Sequence, residues 1–260
     1  MNLSAARARL VEAELAVAHF NALRTCAAGA EGAIRRDAVA GFEVLLDPSR
    51  PSNPYYNRSV PAHPAALAEE GLAALPAGVV AVETAPGELD PGCADRLLAR
   101  GFGPAWQLCY LAADPRGHTG AGLAGPAVVR LGASDRGRFF DLLELEGVPF
   151  PSERRAAKAA YYCTDTFRSY LALAEHGEPM AWTTMYVGDG FAFLGNSFTL
   201  PEHRRKGAHA ALLAARLADA AALGLALAFT DVEHGSQSHA NCERAGFRTL
   251  TIRIIWSKHA

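Results

Sequence analysis

An internal repeat limits the folds open to this chain. Gly101-Phe102 recurs as Gly246-Phe247, 145 residues later, each time after a short helical stretch and before an apolar run. Moved by the same interval, Leu67 falls on Leu212 and Leu72 on Leu217, within helical patterns, and Val79 to Val82 falls on Gly224 to Leu227, within strand-like runs. Helix, strand, helix, Gly-Phe, strand therefore occurs twice in register. A chain of 260 residues accommodates one large domain or two small ones at roughly 150 residues each, and the repeat selects two copies of one α/β unit. The alternative is two similar βα units by chance, since alanine-rich helices match one another easily.

The local patterns agree with that division. Leu10, Leu15 and Phe20 recur at near-helical spacing and predict a helix over the first ~25 residues. Phe42 to Leu46 is a short strand, Pro48 to Pro54 a proline-punctuated loop, Ala65 to Leu75 a helix, Gly78 to Glu83 a strand, Cys93 to Arg100 a helix and Trp106 to Ala112 a strand. Asp114 to Pro126, holding Gly117, Gly120, Gly122 and Gly125, is the boundary and reads as a flexible link. Beyond it come a strand (Ala127 to Leu131), a helix capped by Ser134 (Asp135 to Leu145) and a helix capped by Ser152 (Ser152 to Tyr162). Three antiparallel strands follow at Ser169 to Glu175, Met180 to Val187 and Phe191 to Leu200. A long helix from Gly207 to Leu223 stops at Gly224; Leu225 to Thr230 suits a central parallel strand, Ser236 to Arg244 a helix and Arg248 to Trp256 a half-buried strand.

Composition removes several classes. Half of the residues are apolar and 20% charged, enough for a packed core. The formal charge of −2 argues against a protein built to coat nucleic acid. The longest apolar stretch, about Ala220 to Phe229, falls short of the ~20 residues of a membrane span. Arg7, Arg9, Glu12 and Glu14 interrupt any signal-peptide core. The five cysteines contain no Cys-x-x-Cys pair, which argues against zinc or a disulfide framework and for a cytoplasmic location with reduced thiols. His203, His209, His234 and His239 lack zinc-ligand spacing, so no metal is expected.

The chemistry is concentrated in Pro201-Glu202-His203-Arg204-Arg205-Lys206-Gly207-Ala208-His209-Ala210, which joins an apolar strand to the long helix. A helix N-terminus carries partial positive charge, and each cation placed there costs up to ~1 kcal/mol at low salt. Gly207 adds about 1 kcal/mol relative to alanine. Three cations and a glycine at a helix start make sense when an anion sits on it, because free N–H groups, the helix dipole and the side chains then point at one phosphate. The alternative is a solvated arginine-rich helix start.

Arg204-x-x-Gly207, after a strand and opening a helix, resembles the coenzyme A pyrophosphate loop of the GNAT superfamily of N-acetyltransferases, and the element order from Pro126 to Trp256 fits that family. The first half resembles it only through the repeat. The resemblance implies an α/β fold with a mixed sheet of the α+β kind: two tandem GNAT-like acyl-CoA N-acyltransferase domains, a degenerate one over 1–113, a linker over 114–126 and the acetyl-CoA-binding one over 127–260. The first copy counts as degenerate because the interval of 145 places Arg204 to Gly207 on Ser59-Val60-Pro61-Ala62, without cation or glycine. The resemblance further implies that Phe198, Thr199 and Leu200 offer backbone groups to the pantetheine arm, that an N–H near Leu200 polarises the thioester carbonyl, and that Arg204, Arg205, Lys206, Gly207, Ala208, His209 and Ala210 hold the pyrophosphate. Ser236, Ser238 and Asn241 are further hydrogen-bonding candidates on the short helix that follows.

Two positions depart from the family pattern. His209 replaces the usual second glycine or alanine. Cys242 stands where the family often has a tyrosine acid, four residues before Gly246. Asn241 and Cys242 are the catalytic candidates, although a cysteine in such a place is more often a small helix-packing residue than an acid. Asp231, Glu233 and His234 follow the presumed fifth strand, and no base is selected among them. Gly120-x-Gly122-x-x-Gly125 matches a dinucleotide fingerprint formally but precedes Pro126 and a strand, so it reads as linker. Asn53 to Arg58 reads as a structural turn and strand. The expected activity is transfer of an acetyl group from acetyl-CoA to an amine of a small molecule or peptide by direct attack, in a monomer or homodimer without nucleic-acid or membrane partners. A non-catalytic acyl-CoA-binding regulatory module is the alternative, and a nucleic-acid binder using Arg204 to Lys206 is a third reading. Acceptor specificity belongs to the loop from Gly147 to Ser152, the turn near Gly188 and the N-terminal domain.

Overall fold

A computed structural model describes residues 2–118, 125–147 and 149–258. The dinucleotide-like glycines at 120 and 122, residues 119–124 of the linker and position 148 of the acceptor loop lie outside the described residues. The chain forms two compact units, each with a mixed sheet. One comprises 7–110, 232–234 and 250–260, and the other 1–6, 111–231 and 235–249.

The N-terminal unit starts with α1 (Leu3–Thr25), whose Leu10, Ala13, Leu15, Val17, Ala18 and Ala22 are buried. Its strands are β1 (Arg35–Val39), β2 (Phe42–Leu46), β3 (Arg58–Pro61) and β4 (Ala81–Thr84), ordered β1-β2-β3-β4. Only β3 and β4 run parallel within that set. The sequence patterns miss β1, a polar edge strand turned back through Ala40 (φ 48°) and Gly41 (φ 83°). A Cβ at Gly41 would lie 2.8 Å from His63 Nε2, so this turn requires glycine for close approach as well as for its dihedral.

Two expectations here need correction. The helix predicted over 65–75 is broken at Ala68, whose backbone is extended; a short 3₁₀ turn (Pro64–Leu67) precedes α2 (Glu69–Ala73). The strand predicted from Gly78 begins only at Ala81, because the Val79 N–H is spent in a turn on Pro76 O and the Val80 and Ala81 N–H groups both bind Asn57 O. Then come α3 (Cys93–Ala99) and β5 (Gly103–Ala113), which leads out of this unit.

A buried ionic cluster ties α1 to this sheet. Arg253 is hydrogen-bonded to Glu14 and, at 3.2 Å, to Glu83; Arg58 is paired with Glu83, and Tyr110 donates to Glu83 at 3.0 Å. All five side chains are at least nine-tenths buried. Burial raises the Glu14 carboxyl to about 7, against the pull of Arg253. Burial also disfavours an ionised Glu83, yet Arg58 and Arg253 hold its carboxyl below the usual range.

The C-terminal unit contains β6 (Ala127–Leu131), α4 (Arg136–Leu145), α5 (Ser152–Lys158), β7 (Phe167–Leu173), β8 (Pro179–Val187), β9 (Phe191–Thr199), α6 (Ala208–Ala222), most of β10 (Leu227–Glu233) and α7 (Gln237–Arg244). The strand order is β10-β9-β8-β7-β6, with β9 and β10 parallel and the other pairs antiparallel. Neither predicted serine caps its helix. Ser134 lies inside a 3₁₀ turn where Asp135 accepts from the Gly132 N–H at 2.8 Å, and Ser152 is the first residue of α5 after Pro151. Ser236 does cap α7, accepting from the His239 N–H at 3.1 Å.

The last strand, β11 (Arg248–Ser257), is shared between the units: from Leu250 it clusters with the N-terminal unit, where Ile254 to Ser257 pair antiparallel with Thr84 to Ala81. The repeat is visible in detail. Gly101 and Gly246 both have positive φ, 79° and 91°. The Phe102 N–H donates to Leu97 O and the Phe247 N–H to Cys242 O, each at 3.0 Å, and both rings are buried. The copies therefore end α3 and α7 with one and the same left-handed glycine stop.

Candidate functional site

The site is built where two parallel strands part. The β9–β10 register runs Phe191↔Leu227, Ala192↔Ala228, Phe193↔Phe229, with no further rung. One step on, the Thr230 hydroxyl donates to Leu194 O at 2.8 Å. On its other edge β9 stays paired with β8 as far as Thr199, but with a bulge: Thr184 faces Gly195, Trp182 faces Phe198, and Asn196 takes φ 51°. Thr183 holds the bulge, its Oγ1 2.7 Å from Ser197 Oγ and donating to Gly195 O at 3.1 Å.

The Leu200 N–H donates to Met180 O at 3.0 Å. It is therefore spent in the sheet, so a donor to a carbonyl in this region has to be a neighbouring N–H. Successive N–H groups of a strand alternate in direction, so the Thr199 N–H points to the edge that β10 has left.

After β9 the chain makes a 3₁₀ turn (Pro201–His203) and then the basic loop. Arg205 (φ 60°) and Gly207 (φ 82°) both adopt left-handed backbone. Gly207 occupies the N-cap of α6 and no side chain caps the helix; the first helical bond runs from Ala211 N–H to Gly207 O at 3.0 Å. The N–H groups of Ala208, His209 and Ala210 thus have no acceptor within the helix. Arg204, Arg205, Lys206 and Gly207 are exposed.

These elements enclose a cleft of about 1080 Å³. The structure brings Phe198, Thr199, Arg204, Arg205, Gly207, Ala208, His209, Ala210, Ser238 and Asn241 together on its walls. Leu200, Lys206 and Cys242 are not on the walls; Cys242, within α7, is only 2% exposed. The Ser236 hydroxyl is used as a helix cap. Asp231 and Glu233 lie within β10, and His234 lies in the turn after it.

The sequence gives no site role to Ser197, Gln237 or Arg244, nor to Pro201, Glu202 and His203 of the 201–210 segment, all of which line the wall. Gln237, Asn241 and Arg244 are spaced i, i+4, i+7 on α7, a one-face signal that was legible. The bulge that presents Ser197 left no sequence signal.

Hydrogen bonding fixes the Asn241 amide. Its Oδ1 accepts from Gln237 Nε2 at 3.1 Å and from Arg244, so its Nδ2 is the atom 3.1 Å from His209 Nδ1. With an N–H donor against it, Nδ1 must carry the lone pair, which leaves the proton of the neutral ring on Nε2. Burial, and secondarily the charge of Arg216, pushes the His209 pKa down to about 4. At neutral pH the cleft therefore contains a neutral imidazole held in one tautomer. His203 Nδ1 is buried with no hydrogen-bond partner.

The segment that carries the parted strands, the bulged β9 and the uncapped basic helix start matches a known family model. Residues 139–247 match the model of the Acetyltransferase (GNAT) family. That segment belongs to the GNAT family. Among solved structures, a GCN5-related N-acetyltransferase from Kribbella flavida superposes with TM-score 0.62 at 17% identity, covering 94% of this chain and 93% of its own. A GCN5-related N-acetyltransferase from Sphaerobacter thermophilus gives TM-score 0.57 at 14% identity, over 84% of this chain and 80% of its own. A tandem GNAT protein from the clavulanic acid biosynthesis pathway gives TM-score 0.54 at 16% identity, over 92% and 86%. No curated protein matches the chain.

The fold is two tandem GNAT-like units. In the N-terminal one, β3 pairs in parallel with β4 as β9 does with β10, which makes β3 the counterpart of β9. The interval of 145 slips here: it places the basic loop on β3 itself, whereas the chain after β3 reads Ala62-His63-Pro64. No GNAT-type basic glycine loop follows β3. Among the described residues no helix is long and apolar enough to cross a membrane.

Proposed function

We propose that the C-terminal unit binds acetyl-coenzyme A and transfers its acetyl group to an amine of a small molecule or peptide by direct attack. The observation that carries this reading is the uncapped start of α6. Three backbone donors, on Ala208, His209 and Ala210, face one cleft whose walls include Arg204 and Arg205, with a glycine at the turn. A diphosphate supplies the acceptors these donors lack. The unpartnered Nδ1 of His203 and the vacated edge of β9 suit a polar ligand in the same cleft.

In this reading Arg204, Arg205 and the N–H groups of Ala208 to Ala210 hold the diphosphate. Phe198, packed at 4.9 Å on Trp182, provides an apolar wall for the pantetheine arm. The Thr199 N–H, on the vacated edge, is a donor for the arm or for the thioester carbonyl. When bound, the coenzyme supplies an activated acetyl thioester. The acceptor amine attacks in its neutral form, and its proton leaves to water. Asn241 keeps His209 neutral and oriented. The burial of Cys242 within α7, off the cleft wall, supports a packing role better than the role of acid.

The exclusion of Cys242 from the cleft wall favours a second reading, an acyl-CoA-binding module without turnover. Calorimetric titration of acetyl-CoA into wild type and into an Arg205→Glu, Gly207→Glu double variant tests the site. Micromolar binding that vanishes in the variant supports it, and absence of binding to wild type overturns both readings. Acetylation of any amine in a subsequent screen then selects the transferase over the module.

A further inference from the structure

Arg216 is an unusual group for the interior of this unit. It lies on the inner face of α6 and is 1% exposed. Its Nε donates to Leu212 O at 3.1 Å, its Nη1 to Thr184 O at 3.1 Å, and its Nη2 reaches Ser197 Oγ at 3.5 Å. Every partner is neutral. The carboxylate nearest in sequence on the same helix, Asp219, is engaged by Arg168 at 2.6 Å and by the Tyr170 hydroxyl. Burial lowers the Arg216 pKa to about 10, which still leaves it charged at neutral pH. An unpaired buried ion costs several kcal/mol, and a methionine would fill the same space without that cost. The groups facing it are Tyr170 on β7, Thr184 on β8, Ser197 on β9, and Cys242 on α7, with His209 on α6 also within its field.

Ser197 connects this cation to the cleft. Of the β9 residues on the wall it is the one farthest from the basic loop, and it sits on the bulge where β9 and β10 have parted. We propose that Arg216 is a positioning residue for acyl transfer: its guanidinium, braced on the β9 bulge through Ser197, holds a positive potential at the Ser197 end of the cleft that favours the departing sulfur as a thiolate. The inference rests on the coenzyme reading above. Attack by the amine nitrogen forms the bond to the carbonyl carbon and breaks the C–S bond, whose electron pair stays on sulfur, while the amine proton goes to water. In a unit with Cys242 where relatives often place a tyrosine acid, stabilising the unprotonated sulfur replaces protonating it. The other charged groups of the cleft, Glu202, Arg204, Arg205 and Arg244, are on its exposed walls, where solvent screens them.

The test titrates the thiol of bound coenzyme A by its thiolate absorbance, taking the complex with desulfo-coenzyme A as the blank so that the protein's own cysteines cancel. In wild type the bound thiol is expected to ionise about one pH unit below the free coenzyme, a tenfold gain in thiolate at a given pH. Arg216→Met is expected to abolish the shift and Arg216→Lys to retain part of it, with coenzyme affinity changed less than threefold in both. Where Arg216→Met does not fold, Arg216→Lys carries the comparison, and a shift there equal to that of wild type would also overturn the inference. A bound thiol that ionises at or above its free value, or a shift that survives in Arg216→Met, overturns the inference and leaves the coenzyme reading intact. Failure of wild type to bind coenzyme A overturns both.

Discussion

Gly207 offers a test in which two roles of a glycine separate. The perturbation is Gly207→Ala beside Gly207→Asn. Gly207 holds φ 82° at the start of α6. A Cβ added there would meet nothing nearer than Pro126 Cδ at 3.9 Å, an ordinary contact, so the cost in the ligand-free protein is that of the backbone alone. Left-handed backbone costs an L-residue roughly 1–2 kcal/mol, and asparagine tolerates it better. In urea, Gly207→Ala should lower the unfolding free energy of the C-terminal unit by about 1–2 kcal/mol at unchanged slope, and Gly207→Asn by less than half as much. Acetyl-CoA calorimetry on the same variants reads the second role. If the dihedral alone matters, affinity falls about thirtyfold at most in Gly207→Ala and Asn restores it. If the asparagine variant is stable but binds as poorly as alanine, the missing side chain is what lets the phosphate approach. An alanine variant that unfolds with wild type would refute the reasoning, since the positive φ would then not be enforced.

The twin glycine stops should behave alike: Gly101→Ala and Gly246→Ala are each expected to cost about 1–2 kcal/mol in urea, because a Cβ meets nothing within 4 Å at the first and only the His118 ring, no nearer than 3.7 Å, at the second. His209 titrates near 4 when folded, against about 6.5 unfolded, so its contribution is complete above pH 6.5 and is lost as pH falls towards 4, by about 3 kcal/mol in all; unfolding measured across that window at single-pH steps checks the slope. Asn241→Asp places a carboxylate against His209 Nδ1 and should raise that titration by about one unit or more in histidine NMR, and no movement would mean the ring does not face residue 241. Glu83→Gln leaves Arg58 and Arg253 without their shared buried partner and should cost about 3–5 kcal/mol in chemical unfolding; a loss under about 1 kcal/mol would show that Glu14 alone compensates them.

The sequence determined the features that depend on local chemistry. The period of apolar residues placed β2, α3, β6 and α7 within a residue or two, because a strand or helix face must repeat at 2 or 3.6 residues to bury one side. Gly207 and Gly224 bounded α6 because left-handed backbone at helix ends selects glycine, and three cations before a helix announced an anion site because they oppose its dipole. Whatever joins residues distant in the chain was decided by tertiary structure. The polar edge strand β1 exists because β2 offers it a register, and β11 crosses to β4 for the same reason, through backbone bonds that carry no side-chain signature. The Leu200 N–H is lost to Met180 because strand alternation, not sequence position, chooses which donors face a gap. Arg216 looks like any helical arginine until packing brings Thr184 and Ser197 to it and, among the described residues, no carboxylate, and only burial turns that arrangement into an electrostatic fact.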